Sequence, residues 1–435
     1  MYSLRTIAFV TLVLAGCSAE REAALRPVKV EIVESGNGFQ LLRGGKPYKV
    51  KGAGMVIDDI ERFAAHGGNS IRNWTTNNQI QNVWDLLDAA QANAVTVALC
   101  LPMEAERHGF DYDDADAVAA QLALFREEVL KFRDHPALLF WIIGNELNHS
   151  YTNPAVYDAV NDVAEMIHEI DPNHPTTTTV SGFNEDVIAD IQERATALDF
   201  ISFQVYGNLF GLPEKVADAA FDEPFMVTEW GTLGYWEMEQ TSWGAPVELT
   251  STEKAGKILE GYRDNLKAVE GQLIGSYVFM WGQKQERTAT WFGLLTEDGR
   301  TTESVDVMYY IWNSVWPADR SPQVKSMLLG GKGARQNVVL ITGESYEAEL
   351  HAIDHENDPI TYRWELKPES DADQSGGDYE KPIASLEGLL VTPMAASTML
   401  TAPEPGKYRL FAYAYDDHGH AAHANIPFLV SEGNE

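Results

Sequence analysis

Cysteine is nearly absent: Cys17 and Cys100 are the two in 435 residues. That scarcity excludes a disulfide-stapled scaffold and any zinc or iron–sulfur centre built from cysteines, because each needs several thiolates. Basic residues are also sparse, 32 Lys and Arg against 65 Asp and Glu, for a formal charge of −33 carried by both halves of the chain. So negative a surface repels phosphate backbones, so nucleic acid is not expected as a partner, and the acidity reads as a solvated coat. No apolar run outside the first residues approaches the ~20 that a membrane span needs. What is present, 45% hydrophobic and 10% aromatic residues with 34 Gly and 19 Pro, is globular in character, and the length suggests two domains.

The N-terminus has the pattern of an export signal. Arg5 precedes a short apolar stretch, Thr6 to Leu14, which ends in Leu14-Ala15-Gly16-Cys17 and is too short to span a bilayer. That ending resembles the lipobox of bacterial lipoproteins. The resemblance implies that residues 1–17 form the signal, that Cys17 is lipidated, and that the protein contacts a membrane through its lipid anchor alone. Ser18 resembles the sorting residue of outer-membrane lipoproteins, so the cell surface or the periplasmic face of that membrane is the expected location. Cys100, left without a partner in a run of apolar residues, reads as a small core hydrophobe.

Residues 18–38 read as a linker and an N-terminal strand. From 39 to 318, short β-rich runs alternate with helical periodicity, the pattern of repeated βα units. Eight strands are predicted: Tyr48 to Gly54, Asn69 to Asn73, Ala94 to Leu101, Ala137 to Gly144, Thr176 to Ser181, Asp199 to Val205, Pro224 to Glu229 and Ile274 to Met280. Eight such units imply an α/β fold, the (β/α)8 TIM barrel, with a hairpin about Gly44-Gly45 covering its bottom. Residues 321–435 change style to short alternating strands, at Asn337 to Ile341, Tyr346 to Ile353, Ile360 to Leu366, Gly388 to Val391 and Tyr408 to Tyr415, as in a small β-sandwich. The run from Ala352 to Trp364 resembles the Asp-rich turn and following strand of Ig-like, PKD or cadherin-like modules. Asp354, Glu356 and Asp358 there carry oxygens that suit Ca²⁺ and read as a solvated turn, so neither a metal nor a cofactor is expected.

Reacting groups of such barrels sit at the C-terminal ends of strands. Asn145-Glu146 ends the fourth predicted strand and Glu229 the seventh, each after an apolar run. An unpaired carboxylate costs several kcal/mol in a core, so both are expected to point into one cleft. Two carboxylates facing each other across an aromatic cleft suit glycoside hydrolysis.

Asn-Glu after strand four with Glu after strand seven resembles the clan A retaining glycoside hydrolases. The resemblance implies that Glu146 is the acid/base, Glu229 the nucleophile and Asn145 a ligand of the sugar 2-hydroxyl. It further implies that Arg72 pairs with the nucleophile, that Tyr206 lies beside it and that Trp281 forms the platform under the sugar. Trp74, Trp230, Trp236, Trp243 and Trp291 are further candidates for stacking on carbohydrate, and His108 sits on the matching face. The barrel motifs are also similar to those of families 2 and 5. A barrel followed by one Ig-like domain most resembles family 158, which implies an endo-acting enzyme on β-1,3-glucan such as laminarin. The alternatives are a β-galactosidase, galactanase or transglycosylase on the same barrel, or a catalytically silent glycan-binding lipoprotein. The expected partner is a polysaccharide or oligosaccharide, and the oligomeric state stays open.

Overall fold

A computed structural model of the chain describes residues 26–36, 38–55, 59–76, 82–372 and 377–433; the expected export signal with Cys17 lies outside them. Among the described residues no helix is long and apolar enough to cross a membrane. The first element is an antiparallel sheet of β1 (Val30–Ser35), β2 (Gly38–Arg43) and β3 (Lys46–Pro47). Gly44 and Gly45 turn β2 into β3 at φ +57° and +71°, left-handed values that a tight hairpin requires and glycine adopts without steric cost. Val30 N donates to Asn173 O and Phe39 N to Gly271 O, both at 2.8 Å. Those carbonyls precede barrel strands, so the sheet covers the barrel's N-terminal end.

Eight parallel strands close the barrel: β4 (Gly52–Gly54), β5 (Ser70–Arg72), β6 (Thr96–Leu101), β7 (Leu138–Ile143), β8 (Thr176–Ser181), β9 (Phe200–Gln204), β10 (Phe225–Trp230) and β11 (Leu273–Val278). These are the eight predicted strands, and the TIM-barrel expectation holds. Every residue of β6, β7 and β10 is buried, because helices cover the outside of the ring and side chains fill its middle. Around it run α1 (Ile60–Ala65), α2 (Val83–Ala92), α3 (Ala115–Phe132), α4 (Ala155–Ile170), α5 (Glu185–Arg194), α6 (Leu212–Asp218), α7 (Ser251–Glu260) and α8 (Glu303–Asn313). Local chemistry sets their starts. Asn184 accepts from the N–H groups of Asp186 and Val187 ahead of α5, and Thr250 and Glu253 form a reciprocal cap on α7, satisfying N–H groups that lack an intrahelical partner. On α4, Val156, Val160, Val163 and Ile167 are buried at helical spacing. Cys100 sits inside the barrel with Leu139, Phe140 and Tyr277, and burial pushes its thiol up to about 12, so it packs as a hydrophobe.

The C-terminal region is a two-layer Ig-like sandwich. One sheet holds β12 (Gln323–Leu329), β14 (Ser345–Ile353) and β16 (Ser397–Thr401); the other holds β13 (Val338–Ile341), β18 (Ala421–Ser431), β17 (Gly406–Tyr415) and β15 (Thr361–Pro368). Three of these, β12, β16 and β18, were not among the predicted strands. Conversely, Gly388 to Val391 is not a strand: only an isolated bridge from Leu390 to Leu400 forms there, and its leucines instead pack onto the sandwich core. In the Asp-rich turn, Asp354 Oδ1 accepts from the N–H groups of Glu356 and Asp358, both at 2.9 Å.

A buried polar network locks sandwich to barrel. Glu248, between β10 and α7, is in contact with the Lys254 ammonium and accepts from Thr288 Oγ1 at 2.7 Å, Thr290 Oγ1 at 2.8 Å and Asn425 Nδ2 at 2.6 Å. Arg409 then joins Asn425, Glu369 and the carbonyl of Pro246. Burial is the strongest single influence and opposes the charge of Glu248, but Lys254, His423 and Arg409 together outweigh it and hold the carboxyl down to about 2.

Candidate active site

The C-terminal ends of the strands open onto a cleft of about 570 Å³. Glu229, near the end of β10, is 6% exposed in its wall. Arg72, the last residue of β5 and wholly buried, donates Nη1 to Glu229 Oε1 at 2.7 Å. Trp74 Nε1 donates to the same oxygen at 2.8 Å, and the Tyr206 hydroxyl donates to Oε2 at 2.8 Å. Burial, followed by the charges of Glu229 and Glu146, raises the Tyr206 phenol well above its ordinary range, so it stays a donor. With one guanidinium, one indole and one phenol all donating, the carboxylate form of Glu229 is the one that fits.

Arg72 reaches the second strand end as well. Its Nη2 donates to Asn145 Oδ1 at 2.9 Å, where Gln204 Nε2 at 2.8 Å and Thr179 Oγ1 at 3.4 Å also donate. Three donors on that oxygen fix the amide orientation and leave the Nδ2 hydrogens of Asn145 for the cleft. Glu146 follows at φ +48°, a left-handed conformation that a residue with Cβ holds only when its surroundings over-determine it. The surroundings do so: Thr179 Oγ1 lies 3.1 Å from Glu146 N, and Arg107 Nη1 donates to Glu146 O at 3.1 Å. Burial, with the Glu229 charge second, pushes the Glu146 carboxyl up to about 8. The protonated form of Glu146 is thus favoured, beside a Glu229 held by three donors.

Five of the residues predicted by resemblance, Arg72, Asn145, Glu146, Tyr206 and Glu229, are brought together as described. Trp74 and Trp236 line the cleft as expected, Trp236 at 53% exposure. Four other tryptophans do not. Trp281, expected beneath the sugar, is buried against Phe63 and Trp312 with its Nε1 donating to Asp59 Oδ2 at 2.9 Å. The chain after β11 presents Phe279 and Met280 to the cleft instead, and the next side chain points back to the helices. Trp230 belongs to the main core, since it faces outward from β10 while Glu229 faces in. Trp291 is buried against Tyr235 and Phe292 and donates Nε1 to Leu233 O at 3.0 Å. Trp243 lies away from the cleft, where its carbonyl accepts from Lys407. His108 stands at the rim, 3.3 Å from Asp378 of the sandwich.

The sequence reading missed Gln204, Tyr235, Lys284, Glu286 and Arg287, which all line the cleft. Gln204 ends β9 and was findable by the same strand-end rule. The others come from loops with no periodic signal. Glu286 is buried, which raises its carboxyl above the ordinary value, and Lys284 pairs with it at 2.8 Å.

No curated protein matches the sequence. Among solved structures, a Bacteroides uniformis β-glucuronidase superposes with TM-score 0.47 at 13% identity, covering 93% of this chain and 48% of its own. A putative β-galactosidase from Bacteroides fragilis gives 0.47 at 15% identity, with 94% and 58% covered. A glycoside hydrolase family 5 mannosidase from Rhizomucor miehei gives 0.47 at 13%, with 66% and 97% covered. The chain spans about half the length of the Bacteroides uniformis enzyme. Residues 47–282, more than half of the sequence, match the family described as glycosyl hydrolases family 2, TIM barrel domain, and the chain belongs to that family.

Proposed function

We propose that the protein is a retaining β-glycoside hydrolase. The observation that carries this reading is the contrast between the two acids: Glu229 sits among three donors, while Glu146 is pushed up to about 8. That is the division of labour of double displacement, which places a nucleophile and a proton donor ~5 to 5.5 Å apart. Oε1 of Glu229 carries two hydrogen bonds and Oε2 one, so Oε2 has the freer lone pair. It attacks the anomeric carbon as the Glu146 carboxyl gives its proton to the leaving oxygen. The glycosidic bond breaks and a covalent glycosyl ester forms on Glu229. Glu146, now a carboxylate, takes a proton from water as that water attacks the ester, and both acids return to their starting states. Asn145 directs its amide N–H to a hydroxyl of the sugar held between them.

The finer reading is endo-action on a neutral β-1,3-glucan such as laminarin, as in family 158, at the end of a lipid tether through Cys17 on the outer membrane. Its support is the charge of −33, which disfavours anionic polymers, and the aromatic lining from Trp74, Tyr235, Trp236 and Phe279. Digestion of laminarin, other β-glucans and β-galactans tests it. A ladder of mixed oligosaccharides from laminarin in the first minutes is the expected result. Monosaccharide alone, or a degraded galactan beside intact laminarin, replaces it with the galactosidase reading.

A further inference from the structure

Part of the cleft wall comes from the other domain. The β15–β16 connection of the sandwich places Gly377 in the cleft lining, and the barrel grips that connection on two sides. After β11, Lys284 Nζ donates to Gly377 O at 2.6 Å, Arg287 N donates to Glu380 Oε2 at 2.8 Å, and the Arg287 guanidinium donates to Ala372 O. After β6, His108 lies 3.3 Å and Arg107 3.9 Å from the carboxylate of Asp378. Both barrel anchors also belong to the site: Arg107 holds the carbonyl of Glu146, and Arg287 lies over the cleft-lining Tyr235 ring at 4.7 Å.

Between the anchored Asp378 and Glu380 stands Tyr379, 79% exposed. Glu380 is only 5% exposed, so the ring is offered to solvent by backbone held on both sides, two residues from the cleft wall. A ring so placed can stack on a sugar without first being ordered, which saves the entropy that a loose loop would lose on binding.

We infer that residues 377–380 of the sandwich form a subsite for a sugar ring beyond the cleavage point, with Tyr379 as its stacking platform, so that the second domain selects chains over single-sugar glycosides. This rests on the glycosidase reading and deepens it.

The test compares kcat/KM of the full chain on p-nitrophenyl β-glucoside and on laminaripentaose, or on the matched galactosides if galactan is the polymer degraded. Tyr379→Ala is expected to lower the ratio of pentaose to aryl glycoside about two- to tenfold, the worth of one aromatic stacking contact, through KM. Tyr379→Phe, which keeps the ring, is expected to restore it. A ratio unmoved in Tyr379→Ala, or lowered equally in Tyr379→Phe, overturns the inference while hydrolysis itself stands. A wild-type protein that turns over neither the glucosides nor the matched galactosides overturns the glycosidase reading, and the inference with it.

Discussion

Trp74 donates its indole N–H to Glu229 Oε1 at 2.8 Å, the oxygen that Arg72 holds at 2.7 Å. The residue is therefore a hydrogen-bond donor to the proposed nucleophile as well as an aromatic surface. Trp74→Phe keeps a ring and removes the donor. Since a hydrogen bond to a charged group contributes about 1.5–3 kcal/mol, kcat is expected to fall roughly 10- to 100-fold with KM little changed. A loss confined to KM would show instead that Trp74 acts by stacking.

Removing either acid separates their roles. Glu229→Ala is expected to abolish turnover. Glu146→Ala is expected to spare the first step for aryl glycosides with good leaving groups, which need little protonation, and external azide is expected to restore turnover with retained configuration. The configuration of the first-formed product, read by NMR, decides the matter, and inversion would refute double displacement.

The Glu146 carboxyl, pushed up to about 8 by burial and by Glu229, gives the pH profile its alkaline limb. As acid it must hold its proton, so kcat/KM is expected to decline as pH rises through about 8, a value that belongs to the coupled pair. Its ordinary value is 4.5, so the folded state binds this proton more tightly than the unfolded. The associated stability is full below 4.5 and is lost as pH rises through about 8. Glu146→Gln carries no such charge. Its melting temperature is expected to gain on the wild type steadily between pH 5 and 8, and a constant difference across that range would contradict this.

Lys254→Met strands Glu248 as an unpaired buried charge between the domains. The expected cost is about 3–5 kcal/mol, seen as a fall of several degrees in melting temperature, with much of it recovered in the double variant carrying Glu248→Gln. Because Glu248 is held down to about 2, its contribution is present above its ordinary value of 4.5 and is lost as pH falls through about 2. The difference between wild type and Lys254→Met is therefore expected to shrink in acid.

Strand ends were the legible part of the sequence. An acid that follows a continuous buried run has one way to avoid the core, which located Glu146 and Glu229, and the same rule applied to Gln204 would have found it. Indole direction was not legible. Glu229 and Trp230 are adjacent, and alternation along β10 sends one into the cleft and the other into the core. At Trp281 the outcome depended on Phe63, Trp312 and Asp59, partners distant in sequence. Lys284, Glu286 and Arg287 come from a loop whose position is fixed by the sandwich, and no periodicity of their own announces it.

The network around Glu248 and Arg409 bears on how such a chain can be recombined. Cutting after α8 would uncover Glu248 and Lys254 while removing Asn425, and would leave the Arg287 backbone N–H without Glu380. A barrel transplanted alone, or a sandwich exchanged for one from another protein, would carry an unmatched seam into its new host. The heritable and transferable unit is therefore the pair of domains together, and changes on one side of the seam are constrained by the residues facing them from the other.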